Sequence, residues 1–303
     1  MTANGRGVVN DVAADKLSHA HEGDRKFVTA LARGLEVLRC FHPRDGFLSN
    51  QEIAERTGLP KPTVTRLTYT LCELGYLMQI PRLGKYQLAP GTITLGYAAL
   101  ANLGIRHVAR DFMDQAAEVL AAPVALGVLD RNKALYVDIS RGSATFTVQL
   151  EIGSRIPLVE TAMGRALLVT LPEAEREEHL ALAAGKHPEK SRLMRKILDK
   201  AVADYEKYGF VVSTGEWRPD IFAVGAPLIA ADGSGTYAFN CGAPPHHFPS
   251  ERLYDEVGPM MASLVRVVDD ALNGRRPHRP DENWMSPVKS TGIHDGRPEY
   301  GGP

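Results

Sequence analysis

Cysteine is scarce in this chain: there are three in 303 residues, Cys40, Cys72 and Cys241. An odd, widely spaced trio builds no disulfide framework and contains no Cys-x-x-Cys metal spacing, which fits a reducing cytoplasm. Long apolar runs are missing as well. No stretch approaches the roughly 18 residues of a membrane-crossing helix, and the N-terminus lacks the apolar centre of a secretory leader. The expectation is a cytoplasmic protein with no membrane partner. Neither a P-loop nor a G-x-S-x-G elbow is present, and the His246-His247 pair has no partner at helical metal-ligand spacing. No cofactor, metal site or catalytic residue is therefore expected. Charge of one sign is not in excess either: 35 Lys and Arg stand against 36 Asp and Glu, a net of −1. That balance argues against a general polyanion binder.

The charge that is there is unevenly placed. Residues 24–90 hold ten Lys and Arg against six Asp and Glu, whereas residues 91–303 hold 23 against 27. The basic part contains the most legible stretch, LSNQEIAERTGLPKPTVTRLTYTLCELGYLMQIPRLGKYQL at 48–88. Ser49 followed three residues later by Glu52 is a capping box, with Leu48 and Ile53 spaced as a hydrophobic staple. Gly58 ends that first helix. Pro62 suits the first position of a second helix, in which Val64, Leu67, Leu71 and Leu74 form an apolar stripe. Thr65, Arg66, Tyr69 and Glu73 lie opposite, with Lys61 and Thr63 at the leading end. After Gly75, 76–80 and 85–88 read as paired strands around Pro81-Arg82-Leu83-Gly84. Helix, turn, helix and basic hairpin make a winged helix-turn-helix. A helix led by Lys, Thr, Thr and Arg suits a major groove: Arg bonds guanine edges, Thr serves bases or phosphate, and Lys neutralises phosphate. The expected DNA-facing set is Ser49, Lys61, Thr63, Thr65, Arg66, Tyr69, Arg82 and Lys85, and the expected partner is double-stranded operator DNA.

Around this stretch, 1–24 lacks periodicity and reads as a disordered arm. Residues 27–41 repeat Leu31, Leu35, Leu38 and Phe41 as a preceding helix, which puts a DNA-binding domain at 25–90. A linker helix at 91–106 is rich in small residues, with Gly104 interrupting it before a helix at 108–121. Such a linker either packs on its own copy in a dimer or simply connects two domains; both readings stand. From Pro123 the period changes to strands at 124–129, 134–139 and 145–150. A helix follows at 161–171, then an acidic stretch at 173–184 and a longer helix at 191–208, then strands at 210–213, 222–229 and 236–241, the last two joined at Asp232-Gly233. Ser250 caps a final helix to 272, with Leu253, Val257, Met260, Leu264 and Val268 inward and a kink at Pro259. The tail at 275–303 reads as flexible. The fold class is α+β with a mostly antiparallel sheet in the second domain, 107–274.

Three motifs together resemble the IclR family of bacterial transcriptional regulators, over about residues 27–274. They are TGLPKPTVTRLTYTLCELGYL, GSRIPLVETAMGRALLVTLP (153–172), and YGFVVSTGEWRPDIFAVGAPLIAADGSGTYAFNCGAPPHHF. The resemblance implies a GAF-like effector domain, a homodimer or homotetramer on DNA, and a small organic-acid effector. Positions matching the family's pocket are Val148, Ile156, Ala162, Met163, Ser213, Ile221, Ala223, Asn240 and Gly242. Where the family pattern uses an acid, a thiol and two hydroxyls, this chain has Ser213, Ala223, Asn240 and Gly242. Val159 replaces the motif His, and Glu160 a small residue. These departures imply a roomier, less polar pocket with Ser213 and Asn240 as hydrogen-bonding groups, suited to an aromatic or longer carboxylic acid. Free amides of Ala162, Met163 and Gly164, at a helix starting after Thr161, would favour the anion.

The competing class is a small-molecule-transforming enzyme, with Cys241 as a nucleophile beside His246 or His247. A cysteine ending an apolar strand is more often simply buried, and the reading here is a regulator rather than an enzyme.

Overall fold

The computed structural model describes residues 24–42, 45–143, 150–185, 187–233 and 235–275. It divides into two compact units, 1–103 and 104–303.

The first unit runs α1 (Thr29–Arg39), β1 (Leu48–Ser49), α2 (Asn50–Thr57), α3 (Lys61–Glu73), β2 (Leu77–Ile80), β3 (Lys85–Leu88) and α4 (Pro90–Ala101). The capping box forms as the spacing predicts. The Ser49 hydroxyl accepts the Glu52 amide N–H at 3.2 Å, and the Glu52 carboxylate accepts the Ser49 N–H at 2.8 Å. Leu48 and Ile53 are both buried, and Gly58 ends α2 at φ 74°, where a side chain would be strained. The Asn50 amide then ties α2 to α3, donating to Thr65 Oγ1 and accepting from Thr68 Oγ1, both at 3.3 Å. Behind these bonds lies a core of Val37, Ile53, Val64, Leu71, Leu77 and Tyr86. The strands form an antiparallel sheet in the order β1-β3-β2, so the two residues before α2 become a third strand on the wing.

Three details differ from the sequence reading. Helix α3 starts at Lys61, so Pro62 occupies its second position. Leu74 is the C-cap of α3 and 62% exposed; buried Thr68 takes the interior place between Val64 and Leu71. In α1, Val37 and Cys40 face the core while Leu31 and Leu35 face outward.

The second unit runs α5 (Gly104–Leu120), β4 (Val124–Asp130), β5 (Lys133–Ser140), β6 (Arg155–Pro157), α6 (Ala162–Leu168), α7 (Glu173–Ala184), α8 (Pro188–Tyr208), β7 (Val211–Thr214), β8 (Phe222–Ile229) and β9 (Thr236–Ala243). It closes with α9 (Ser250–Arg252), a π-helical turn at Leu253–Val257 and α10 (Gly258–Leu272). Six strands make one antiparallel sheet, β6-β5-β4-β9-β8-β7. Helix α6 packs over one face, and α5 and α10, in contact with each other, cover the other. Glycines make the α6 contact possible. A Cβ on Gly225 would strike the Ala162 carbonyl, and one on Gly164 would strike the Leu158 backbone.

The expected interruption falls at Asn102–Leu103, and Gly104 begins α5 rather than lying in a gap before 108. Ser250 is the first residue of α9, with Pro249 in the cap position and no side-chain cap. The π-turn ends at Val257, and α10 starts at Gly258 with Pro259 in its second position, where a missing N–H leaves no helical bond unmade. All five residues read as inward on this last helix are buried. Strand β6 is short and was not legible as a strand. The strand expected at 145–150, the arm and the tail lie outside the described residues apart from a terminal residue of each.

Candidate functional site

On α3, Lys61, Thr65, Arg66 and Tyr69 face solvent along one side, and Thr63 is half-buried beside them. The Thr65 hydroxyl also donates to the Lys61 carbonyl at 3.0 Å, which leaves Lys61, Arg66 and Tyr69 as the long side chains projecting from that face. The remaining three of the expected set stand differently. Ser49 is committed to the capping box. Lys85 is half-buried, 3.2 Å from the Glu52 carboxylate. Arg82 lies exposed in the one-turn 3-10 helix at the wing tip, Pro81–Leu83, closed by Gly84 at φ 61°. The capping interactions hold the Glu52 carboxyl down at about 2, its bonds from Ser49 first and Lys85 next.

The second unit holds a cavity, partly open to solvent, between the sheet and the N-terminal end of α6. Of the nine positions expected to line a pocket, seven do: Ile156, Ala162, Ser213, Ile221, Ala223, Asn240 and Gly242. Strand pairing explains the convergence. Ser213 lies opposite Ala223, Ala223 opposite Gly242, and Asn240 two residues along β9 opposite Ala125 of β4. Alternation sends all of them to one face. Met163 is buried outside the lining, its sulfur occupying the space a side chain on Gly127 would need. Val148 lies outside the described residues. The amide reading also changes. The Thr161 hydroxyl accepts the Gly164 N–H at 3.1 Å, so that amide is spent on the cap, and α6 is only seven residues long.

Several lining residues lie outside the expected pocket set: Ala125, Tyr136, Ile139, Arg141, Leu150, Thr161, Trp217 and Arg218 among them. Tyr136 and Ile139 share the cavity face only because of a β-bulge. Leu126 pairs with Asp138 but Gly127 with Tyr136, which leaves Val137 as an extra residue and reverses the alternation beyond it. The same reversal turns buried Asp138 toward α5, where it meets Arg106 at 3.3 Å and Arg110 at 3.2 Å. Trp217 and Arg218 are carried by a loop anchored from below. Glu216 accepts the Thr214 N–H at 2.7 Å and pairs with buried Arg165 at 2.9 Å. Arg165 also donates to the Val159 carbonyl at 2.8 Å and to the Val212 carbonyl. Burial pulls the Arg165 pKa down, and Glu216 opposes the shift.

The described lining contains two arginines and no carboxylate. Arg218 pairs with Asp220 and Arg141 with Glu151, both outside the lining, and all four side chains are substantially exposed. Exposed pairs of this kind contribute about 0–1 kcal/mol, so either guanidinium can be shared with an incoming anion at little cost.

Cys241 lies one residue from Asn240 and so points away from the cavity. It is fully buried, and burial pushes its thiol pKa well above the ordinary range. A protonated, inaccessible thiol is no nucleophile. His247, which the enzyme reading would pair with it, is hydrogen-bonded to the Leu120 carbonyl at 2.9 Å. Among the described residues no helix is long and apolar enough to cross a membrane.

A winged helix-turn-helix joined in one chain to a sheet domain with a largely apolar cavity defines a ligand-responsive, DNA-binding transcriptional regulator. Residues 30–81 match the IclR helix-turn-helix domain, and residues 97–269 match the family described as bacterial transcriptional regulator IclR C-terminal. The chain belongs to the IclR family, and it is a regulator rather than an enzyme. It is 30% identical over 265 residues to the HTH-type transcriptional regulator TsaQ1/TsaQ2 of Comamonas testosteroni, covering 87% of this chain and 94% of that one. The crystal structure of an IclR family regulator from Brucella abortus is 47% identical, with a TM-score of 0.75 over 83% of this chain and 95% of that one. An IclR homologue from Microbacterium hydrocarbonoxydans, crystallised with 4-hydroxybenzoate, shares the fold at 20% identity. Its TM-score is 0.62, over 81% of this chain and 98% of that one.

Proposed function

We propose that this regulator acts in the cytoplasm as a homo-oligomer, at least a dimer, on double-stranded operator DNA, and that an aromatic or other carboxylic acid in the cavity modulates binding. The observation that carries the acid is the described lining itself: two guanidiniums, no carboxylate and a largely apolar wall. The complex of the Microbacterium homologue with 4-hydroxybenzoate supports an aromatic acid as the first class to test. Arg66, with Lys61, Thr65 and Tyr69, enters the major groove, and Arg82 reaches backbone phosphate from the wing. Self-association is supported by α4, which has no buried residue and exposes Ile93, Leu95 and Tyr97, an apolar surface that a second copy would cover.

The test is fluorescence anisotropy on a duplex from the chain's own upstream region, titrated at two salt concentrations with and without benzoate and 4-hydroxybenzoate. Salt-sensitive binding that shifts with an acid supports the reading. Asn240→Leu is expected to abolish the shift while operator affinity persists. Binding that ignores every acid tried, in a protein that still recognises the duplex, would overturn the effector class.

A further inference from the structure

The inner end of the cavity contains a polar pair whose hydrogen-bonding capacity is not used up. Tyr136 on β5 is 5% exposed, and its hydroxyl stands 3.5 Å from the Asn240 amide nitrogen on β9. Strand β4 runs between them, and its residue facing the cavity there is only Ala125. The Tyr136 backbone is held by bonds of its own: its N–H donates to the Ser154 carbonyl at 3.0 Å, and its carbonyl accepts the Gly153 N–H at 2.8 Å. The backbone that carries the phenol is therefore fixed, and the side chain itself is buried.

A phenol and a primary amide carry three N–H or O–H donors between them. Whichever way the Asn240 amide is turned, one contact between the two groups consumes a single donor. Donors and at least one acceptor remain to be satisfied, inside a wall of Ala125, Ile139, Ile156 and Ala223. Leaving such groups unpaired once a ligand has displaced water costs about as much as a hydrogen bond contributes. Burial also pushes the phenol pKa upward, so the hydroxyl stays neutral and donating. A carboxylate placed here would be desolvated with no cation beside it, whereas Arg141 and Arg218 lie toward solvent at the mouth.

We infer that the Tyr136–Asn240 pair is a specificity subsite for a neutral hydroxyl or carbonyl group at the end of the effector opposite its acid. This deepens the acid-effector reading and rests on it. A hydroxyl fits best: it accepts from one member of the pair and donates to the Asn240 carbonyl oxygen or the Tyr136 oxygen. An apolar group of the same size fills the space and strands the pair.

Calorimetric titration of the full chain with 4-hydroxybenzoate and with 4-methylbenzoate reads this directly. Wild type is expected to prefer the hydroxyl compound by about ten- to a hundredfold. In Tyr136→Phe the ratio of the two Kd values is expected to collapse to within about threefold. Asn240→Ala, which removes the amide without filling the cavity, serves as the second variant should Tyr136→Phe fold poorly, with the ratio again falling. Equal affinities in wild type, or a preference that survives in a folded variant, overturn the subsite while leaving the acid-effector reading intact. Failure of wild type to bind either compound overturns both.

Discussion

Arg66 and Arg82 are both exposed arginines in the basic unit, yet their positions ask different things of them. Arg66 projects from the middle of the solvent face of α3, and Arg82 lies exposed at the wing tip; the proposed docking gives Arg66 a base edge and Arg82 a backbone phosphate. Arg66→Ala is expected to weaken specific binding by about 1–3 kcal/mol and to relax sequence preference. Arg82→Ala is expected to weaken all sequences alike and to lower the slope of log K against log salt by about one contact. Footprinting and anisotropy across a salt series separate the two, and identical behaviour of the variants would defeat the division of roles. In the other unit, Gly127 faces the Met163 sulfur with no room for a methyl. Gly127→Ala should cost about 1–3 kcal/mol by overpacking, measured by urea unfolding. An unchanged midpoint would mean that α6 shifts freely.

The capping box of α2 shows how an element can carry a pH dependence. The Glu52 carboxyl is depressed from 4.5 to about 2, because Ser49 and then Lys85 favour its ionised form in the folded state. Its contribution is therefore fully present above about pH 4.5 and is lost as the pH falls toward 2. Glu52→Gln should flatten that acid limb, as followed by circular dichroism of the full chain between pH 5 and 2. A limb of unchanged steepness would assign acid sensitivity to other carboxylates, such as Asp45 beside Arg56. Ser49→Ala removes the same cap at neutral pH and should cost about 1 kcal/mol. Helix α6 is the contrasting element: too short for a large dipole and capped by its own Thr161, it shapes the cavity wall while the mouth loop supplies the charge.

For the whole molecule, the informative surface is the one the chain leaves uncovered. Helix α4 exposes Ile93, Leu95 and Tyr97, and α1 exposes Leu31 and Leu35. Exposed apolar side chains concentrated in this way are what the proposed self-association would cover. Tyr97→Asp is expected to shift the species seen by light scattering from dimer or larger toward monomer. Operator affinity should fall with it, because two half-sites are then engaged independently. A variant that stays fully assembled would remove α4 from the interface.

The local chemistry of the chain was written in its order of residues. Ser49, Glu52 and Gly58 specify where α2 begins and ends through bonds to their own neighbours. Alternation along β9 puts Asn240 and Gly242 on one face, but their assignment to the pocket came from the family resemblance, and only the β8–β9 register sets Ala223 beside them. The outward Leu31 and Leu35, the exposed Leu74 and the core place of Met163 could not be read that way. An apolar repeat shows that a face exists, not which neighbour will cover it. Tyr136 is the clearest case. Its membership of the cavity depends on an unpaired Val137, on a small Ala125 in the strand between, and on an asparagine more than a hundred positions away. Bonds within a turn are decided by sequence separation alone, whereas a cavity is made by strands meeting across the sheet, and only the tertiary fold decides which side chains meet there.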